Sequence, residues 1–263
     1  MDDIKDSSAW LDYFRRNRLN RPEPDWNRPT PFPPPVAARL GRSLAHFALG
    51  ESCEGTTLLT GARRHWADDP DSIAALTLFV AEEREHARLL EHLVVRLGGT
   101  LVTTHWTDRC FTLARHVLGF GFEIQAVVVA ELVGGAYFQL LRSTGDTVLR
   151  QVCELMVRDE TQHRRFHVDR VVTAQLRWSP LRRALWTAQF QLMFRAALLA
   201  AWVDHRPALR ALGINRRLFT GEARAEARAW LVRRRALGRR TPPAPANRAE
   251  RRTAHSPHAG CTR

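Results

Sequence analysis

Apolar residues recur every three or four positions along most of the chain after residue 35, which is the spacing of helices that bury one face. Alternating runs of β-branched residues between Asn-Gly or Asp-Gly turns are almost absent, so strands are not expected. Glycine, proline and capping residues divide the periodic region into separate helices. The predicted helices are 36–66, 69–98, 108–143, 146–177, one that starts at Ser179-Pro180, a short one at 206–213, and one at 221–237.

The lengths and spacing of these helices predict the organisation of the chain. Seven prolines between residues 21 and 35 forbid a helix there and suit an extended arm laid over the domain. Four helices of about 27 or more residues predict an all-α four-helix bundle of two antiparallel hairpins, with a long crossover and additional C-terminal helices. The predicted regions are a proline-rich arm (1–35), the bundle with its fifth helix (36–214), a basic helix (215–240) and a disordered basic tail (241–263).

The longest apolar run, at 184–203, is interrupted by Gln189, Gln191 and Arg195. It predicts a buried helix and not a membrane span. The acidic N-terminus lacks the apolar core of a signal peptide. The four cysteines include no CxxC pair, which excludes a rubredoxin or zinc-ribbon module and predicts a reduced, cytoplasmic chain.

The net charge of +13 is concentrated near the C-terminus. From residue 215 onward the chain has 13 arginines and 3 acidic residues, a net +10, so the preceding part carries only +3. A nearly neutral body argues against nucleic acid as a partner. The tail is predicted to be a solvated extension, and an acidic carrier protein remains open as its partner.

Two ten-residue segments that lie 77 positions apart share one pattern. They are AEEREHARLL at 81–90 and RDETQHRRFH at 158–167. Each contains an acid, a glutamate, two further residues and a histidine, so that the glutamate and histidine lie on one helix face. The two sets are Glu82-Glu83-x-x-His86 and Asp159-Glu160-x-x-His163.

A further glutamate precedes each motif by the same interval. Glu54 lies 29 positions before Glu83, and Glu131 lies 29 positions before Glu160. In an antiparallel hairpin this interval brings the two residues to nearly the same height on neighbouring helices. The repeat therefore predicts two copies of one hairpin, which together supply four carboxylates and two imidazoles at mid-bundle.

Burial of this set requires a compensating positive charge. Glu131 has no other charged residue within seven positions on either side, so a solvated helix face is not expected there. Four buried glutamates without cations would be very unfavourable, and two divalent ions would balance them. Carboxylates with imidazole suit iron or manganese. The predicted metal ligands are Glu54, Glu83, His86, Glu131, Glu160 and His163.

Over about residues 36–177 the sequence resembles the ferritin-like diiron-carboxylate superfamily, specifically its oxygenase and oxidase branch. The resemblance implies two iron ions, or one manganese and one iron, bound by those six residues. Glu83 with either Glu131 or Glu160 would bridge the ions. The resemblance also implies that Glu82 and Asp159 orient the opposite histidines.

The ligand from the first helix has an alternative. Glu51 lies one turn before Glu54 and could replace it as a ligand or line the pocket. The residue 77 positions after Glu51 is Val128, so the repeat favours Glu54.

Three residues near the second motif are weaker candidates. His167 is one turn after His163 and is either a further ligand, a pocket group or a hydrogen-bonded helix histidine. Gly134 and Gly135 follow Glu131 in mid-helix, where each glycine costs about 1 kcal/mol relative to alanine. They either leave room for dioxygen or substrate or allow close helix packing.

These features predict an O2-activating diiron oxidoreductase that hydroxylates, N-oxygenates or desaturates a small or carrier-bound organic substrate. The chain has no GxGxxG, flavin or iron–sulfur signature, so a separate electron donor is expected. One alternative is iron storage or peroxide scavenging of the ferritin or rubrerythrin kind. Another is a bundle that acts as a binding module through its basic tail. A homodimer is left open.

Overall fold

The protein is all-helical in a computed structural model that describes residues 3–52, 55–104 and 119–240, and these ranges contain no strand. The helices within them are α1 (Ser7–Asn17), α2 (Pro34–Glu51), α3 (Thr56–His65), α4 (Pro70–Arg96), α5 (Phe120–Leu141), α6 (Thr147–Gln175), α7 (Pro180–Ala211) and α8 (Arg216–Arg240).

Capping side chains fix the starts of the three long helices α4, α6 and α7. The Asp69 carboxylate accepts a hydrogen bond from the Ser72 backbone N–H, and Asp146 accepts from the first turn of α6. Ser179 caps α7, with proline at its first position. Such caps satisfy backbone N–H groups that have no partner within the helix, which is why the sequence located these boundaries.

Two helical pairs form the centre of the fold, α2 with α4 and α5 with α6, and α4 also contacts α6. Gly41 of α2 lies beside Gly99, just beyond the end of α4, which fits an antiparallel arrangement. A short turn at 142–146 connects α5 to α6. Helix α7 covers α2 and α5, and α8 covers α5 and α6. The packed helices and the absence of strands in the described ranges agree with the predicted all-α class.

The prediction of an extended N-terminal arm over 1–35 is wrong for its first half. Residues 7–17 form α1, which Asp6 caps and which packs against α4. Trp10 and Phe14 are fully buried, and the Trp10 indole N–H donates to Asp169 across 3.0 Å. The prolines begin only at residue 22, so they could not prevent this helix.

The predicted helix 36–66 is also interrupted. Helix α2 ends at Glu51 and α3 begins at Thr56. Gly55 between them has φ +65°, the left-handed region that glycine adopts most readily. Glu54 lies outside the described residues, as do the start of the predicted helix 108–143, most of the crossover and the tail 241–263.

Helix α7 differs from its prediction in two ways. The separately predicted short helix at 206–213 largely belongs to α7, which continues through Pro207 to Ala211. The run at 184–203 is not buried all round, because Leu192 on its outer face is 70% exposed. Apolar composition alone could not show that one face of this helix is uncovered.

Within the described ranges, α5 has the length and composition that a membrane-spanning helix would also have. In that apolar window 78% of the residues are buried inside the fold. The mostly buried core helix of a bundle meets the same criteria.

Gly55→Ala tests the interruption between α2 and α3. A Cβ at this residue would lie 2.7 Å from Cγ2 of Val80 and would also require an unfavourable φ. We expect a loss of about 1–3 kcal/mol in the free energy of unfolding, measured by denaturant titration. Gly50→Ala is the control, because nothing lies within 4 Å of the added Cβ there. In that exposed helical position alanine should be neutral or stabilising by up to about 1 kcal/mol. Equal effects of the two changes would contradict this account.

Candidate metal centre

Helices α4 and α6 each contribute a glutamate and a histidine from one face, because residues three positions apart are neighbours on a helix. They combine with acids from α2 and α5 into two groups that could hold a metal ion. Within each group the ligand atoms lie within 4.8 Å of one another. The first group is Glu51, Glu83, His86 and Glu160, and the second is Glu131, Glu160 and His163.

Two carboxylates lie between the two imidazoles. Oε1 of Glu83 is 2.9 Å from Nδ1 of His163 and 3.9 Å from Nδ1 of His86. Oε1 of Glu160 is 3.8 Å from Nδ1 of His86, and Glu160 belongs to both groups. The centres of the two imidazole rings are 5.7 Å apart. Of the two acids that the sequence left open as partners of Glu83, Glu160 belongs to both groups and Glu131 only to the second.

Several buried atoms of the cluster have no hydrogen-bond partner within the described part of the chain. They include Nδ1 of His86, both carboxylate oxygens of Glu131 and one oxygen of Glu160. Buried polar groups normally have partners, and a buried carboxylate without one is strongly destabilised. A metal ion bound among these atoms would satisfy them, so the donor set fits a metal.

The outer nitrogen of each histidine contacts an acid from the opposite motif. Nε2 of His86 is 3.2 Å from Asp159, and Nε2 of His163 is 2.9 Å from Glu82. A carboxylate at Nε2 favours the tautomer that carries the proton there, which leaves the Nδ1 lone pair directed into the cluster. Each acid precedes the glutamate of its own motif, so the two motifs support each other reciprocally.

Residues from the N-terminal segment connect these two acids. The Asn17 amide donates to Glu82 across 2.8 Å and to Asp159 across 3.0 Å. Nη1 of Arg21 lies 2.9 Å from Asp159. Asn17 is the last residue of α1, so the unpredicted helix holds the support of both histidines. No motif marks Asn17 in the sequence, because its role depends on how α1 packs.

The pKa values of the cluster residues are raised, whereas the pKa of Asp159, which contacts His86, is lowered. Burial raises the pKa of Glu51 and of Glu160 well above the usual range, and neighbouring carboxylates raise both further. Burial lowers the pKa of His163, but the hydrogen bond with Glu82 and the nearby carboxylate of Glu83 outweigh that effect, and the net pKa is well above usual. Burial also raises the pKa of Asp159, but its hydrogen bond with His86 and the charge of Arg21 hold it far below usual.

The predicted ligand Glu54 lies outside the described residues, whereas its alternative Glu51 lies in the first group. Glu51 lies beside Glu83, whose carboxylate helps to raise the pKa of Glu51. The repeat favoured Glu54 because Glu51 is matched by Val128. That argument assumed equivalent first helices, and the two differ: α2 ends at Glu51, whereas α5 continues past Glu131 to Leu141.

The remaining candidates lie around Glu131. His167 is fully buried and belongs to neither metal group; its Nε2 lies 3.2 Å from Oε1 of Glu131, but the two atoms are not aligned for a hydrogen bond. Gly134 lines a cavity beside the cluster. Gly135 instead accommodates Arg164, whose Nη1 would be 2.5 Å from an added Cβ. Of the two glycines, therefore, Gly134 adjoins open space and Gly135 allows close packing.

A cavity of about 290 Å³ lies beside the carboxylates. Helix α7 forms part of its wall with three alanines and two polar residues, spaced so that they lie on one helix face. None of these residues was predicted as part of the site, although the small size and the spacing of the alanines can be read from the sequence. They are Ala197, Ala200, Ala201, Asp204 and His205.

His205, one of the two polar residues in this wall, is hydrogen-bonded to the core. Nδ1 of His205 is 2.8 Å from the Ser43 hydroxyl, which is 2.6 Å from the Tyr137 hydroxyl. The ring of His205 also stacks on Phe47, with ring centres 4.4 Å apart. These contacts hold α7 against α2 and α5, and they fix the position of the cavity wall.

Comparison of the chain with family models, with curated proteins and with solved structures found no match.

Asn17→Ala tests the link between α1 and the histidine supports. Loss of the amide removes one donor from each of two buried carboxylates, so we expect a loss of about 1–3 kcal/mol in the free energy of unfolding. Metal affinity should fall by about tenfold or more, because the supports of both histidines loosen. Denaturant unfolding and Mn(II) titration measure the two effects. Asn20→Ala, at an exposed position just beyond α1, should change neither. A stability loss with unchanged metal affinity would show that Asn17 serves the fold alone.

The pH dependence of stability tests the electrostatics of the cluster. The folded-state pKa values of Glu51, Glu160 and His163 lie above their usual values, so the metal-free cluster stabilises the fold at low pH and loses that contribution as pH rises. Metal binding requires these groups to lose their protons. We therefore expect the increase in melting temperature on adding Mn(II) to be larger at pH 8 than at pH 6, by scanning calorimetry. An increase that is the same at both pH values would contradict the protonated cluster.

Proposed function

We propose that the protein is an O2-activating, non-haem diiron oxidoreductase built on a ferritin-like pair of helical hairpins, α2 with α4 and α5 with α6. The observation that carries this proposal is Glu160, a carboxylate common to two adjacent groups of potential metal ligands. A shared carboxylate is what a dinuclear site requires, and glutamates with Glu-x-x-His pairs in a helical bundle are a known dinuclear donor set.

The donor atoms support iron or manganese in preference to softer metals. Every ligand atom in the two groups is a carboxylate oxygen or an imidazole nitrogen, and neither group contains a thiolate. Four carboxylates carry four negative charges when ionised. Two divalent ions would neutralise them inside an otherwise apolar core, which a single ion would not.

Bound iron would supply the electrons and open coordination positions for reduction of O2. The protein contributes fixed geometry. Glu82 and Asp159 hold the imidazoles of His163 and His86 with Nδ1 directed inward, and Asn17 holds both acids. Such supports keep the ligands in place when the charge of the centre changes during turnover.

The cavity beside the cluster supports an oxygenase or oxidase rather than a storage protein. Its wall combines the carboxylates with Phe47, Phe79 and the small residues of α7. An apolar pocket with a few polar groups is typical of a site for a small organic molecule. We therefore infer hydroxylation, N-oxygenation or desaturation of such a substrate, with electrons from a separate donor. Iron storage would need no cavity of this kind.

Anaerobic loading with Fe(II), followed by mixing with O2, tests the proposal. We expect about two iron ions per chain and a transient visible absorption band after mixing. Glu160→Ala should lower iron binding at both positions, because it removes a ligand common to both groups. Glu154→Ala is the matched control on the same helix. This acid is 56% exposed and lies six positions before Glu160, on a different face of the helix. Circular dichroism checks that both variants are folded.

Three outcomes would contradict the proposal. Less than one iron per chain in the unsubstituted protein would show that the cluster is not a dinuclear site. Equal iron binding in Glu160→Ala and Glu154→Ala would show that iron binds elsewhere. Continuous uptake far beyond two irons per chain, with an accumulating ferric product, would instead support the storage alternative.

A further inference from the structure

The outer face of α7 carries a row of large apolar side chains that no other described residue covers. The row contains five side chains. With 100° between successive residues they lie within an arc of about 40° around the helix axis, and they extend over about 33 Å along it. A contiguous exposed apolar surface of this kind usually marks an interaction site. The outer row consists of Leu181 (70% exposed), Leu185 (62%), Leu192 (70%), Leu199 (54%) and Val203 (45%).

The outer row is symmetric about its middle residue, Leu192. Two leucines lie seven positions before and after it, and the two end residues lie eleven positions before and after it. Between Leu185 and Leu199 the exposed alanines are Ala188 and Ala196, which lie four positions before and after Leu192. The order of large and small side chains is therefore nearly the same in both directions along the helix.

We propose that this face is the interface of a homodimer in which two α7 helices pack antiparallel across a two-fold axis at Leu192. A two-fold interface uses the same patch on both copies, so the patch must be complementary to itself. Antiparallel pairing at Leu192 packs Leu185 of one copy against Leu199 of the other. It also packs Leu181 against Val203, so every large side chain of the outer row gains an apolar partner.

The size of the face fits a modest dimer. A strip of about 33 Å by 12 Å on each copy gives roughly 800 Å² for the pair before the rim is counted. This area lies below the range of about 1,200–2,000 Å² for stable interfaces, so we expect a weak dimer that dissociates in the micromolar range or above. The interface has an apolar centre and a polar rim, which is the usual organisation of protein interfaces.

Arginines border the outer row and give the dimer a distinctive salt dependence. Arg182, Arg195 and Arg206 lie about 60–80° away from Leu185 around the helix, at the rim of the strip. Pairing two copies brings like charges closer, so added salt should strengthen the dimer by screening their repulsion. An acidic protein, a nucleic acid or an anionic membrane would show the opposite dependence, because salt weakens attraction between opposite charges. None of those partners would require the symmetry about Leu192.

The proposed interface connects to the cavity through α7. The inner face of the same helix lines the cavity with Ala197, Ala200 and Ala201. Pairing along the outer row would hold α7 from both sides and bring two cavity walls close to the two-fold axis. The inference rests only on the surface of α7 and holds whether or not the cluster binds iron.

The molecular mass in solution tests the proposal. At about 100 µM, light scattering after size exclusion should give twice the 30.0 kDa chain mass, and the dimer fraction should increase between about 50 and 500 mM NaCl. Leu192→Arg places two further like charges together on the axis and should reduce the mass to that of a single chain. Leu218→Arg is the matched control, because Leu218 is 52% exposed on α8 and lies outside the outer row. That variant should remain dimeric.

A cysteine pair tests the register. Residues on the two-fold axis meet their own copies, so Leu192→Cys should form a disulfide-linked dimer on oxidation, and Leu185→Cys alone should not. Mixing Leu185→Cys with Leu199→Cys should restore the cross-link. The unsubstituted chain, which has four cysteines of its own, sets the background.

The proposal is overturned by a monomer at about 100 µM in high salt or by a dimer that persists unchanged in Leu192→Arg. It is also overturned by equal cross-linking at positions 185 and 192. Binding to phosphatidylserine vesicles that Leu192→Arg abolishes and salt weakens, in a protein that is otherwise monomeric, would assign the face to an anionic membrane instead.

Discussion

The structure depends on four carboxylates, two buried and two half-buried, that meet in the middle of an apolar helical bundle. Glu51, Glu83, Glu131 and Glu160 converge from four helices, and burial raises the pKa of three of them, Glu51, Glu83 and Glu160. Without cations such a cluster retains protons or destabilises the fold, because an ionised group in a low-dielectric interior is costly. The arrangement is therefore best understood as a site that is completed by positive charge.

The surroundings of the cluster hold its geometry from two directions. On one side, Glu82, Asp159 and Asn17 fix the two imidazoles through a connected set of hydrogen bonds. On the other side, α7 closes the cavity with small residues and is tied to the core through His205. The first set of contacts serves the ligands, and the second leaves space beside them. Together they hold the donor set beside an open volume.

The internal repeat predicted most of this centre because it links sequence spacing directly to helix geometry. Glu83, His86, Glu160 and His163 lie at fixed intervals on two long helices, and such intervals determine which side chains share a face. The first helices of the two hairpins differ in extent. Helix α2 ends at Glu51, whereas α5 continues past Glu131 to Leu141, and the predicted ligand Glu54 lies outside the described residues.

Other features could not be predicted from sequence because they depend on packing between distant segments. Asn17 contacts residues 65 and 142 positions away, and nothing near it in the chain marks that role. The exposure of Leu192 likewise depends on which face of α7 the core covers. Periodicity showed that these segments are helical or apolar, but the choice of neighbours belongs to the tertiary fold.

The central claim is that Glu160 is common to two metal positions, and anomalous diffraction at the iron edge tests it most directly. Crystals grown anaerobically with Fe(II) should show two anomalous peaks on either side of the Glu160 carboxylate, one near His86 and the other near His163. A single peak, or none within coordination distance of Glu160, would contradict the dinuclear centre.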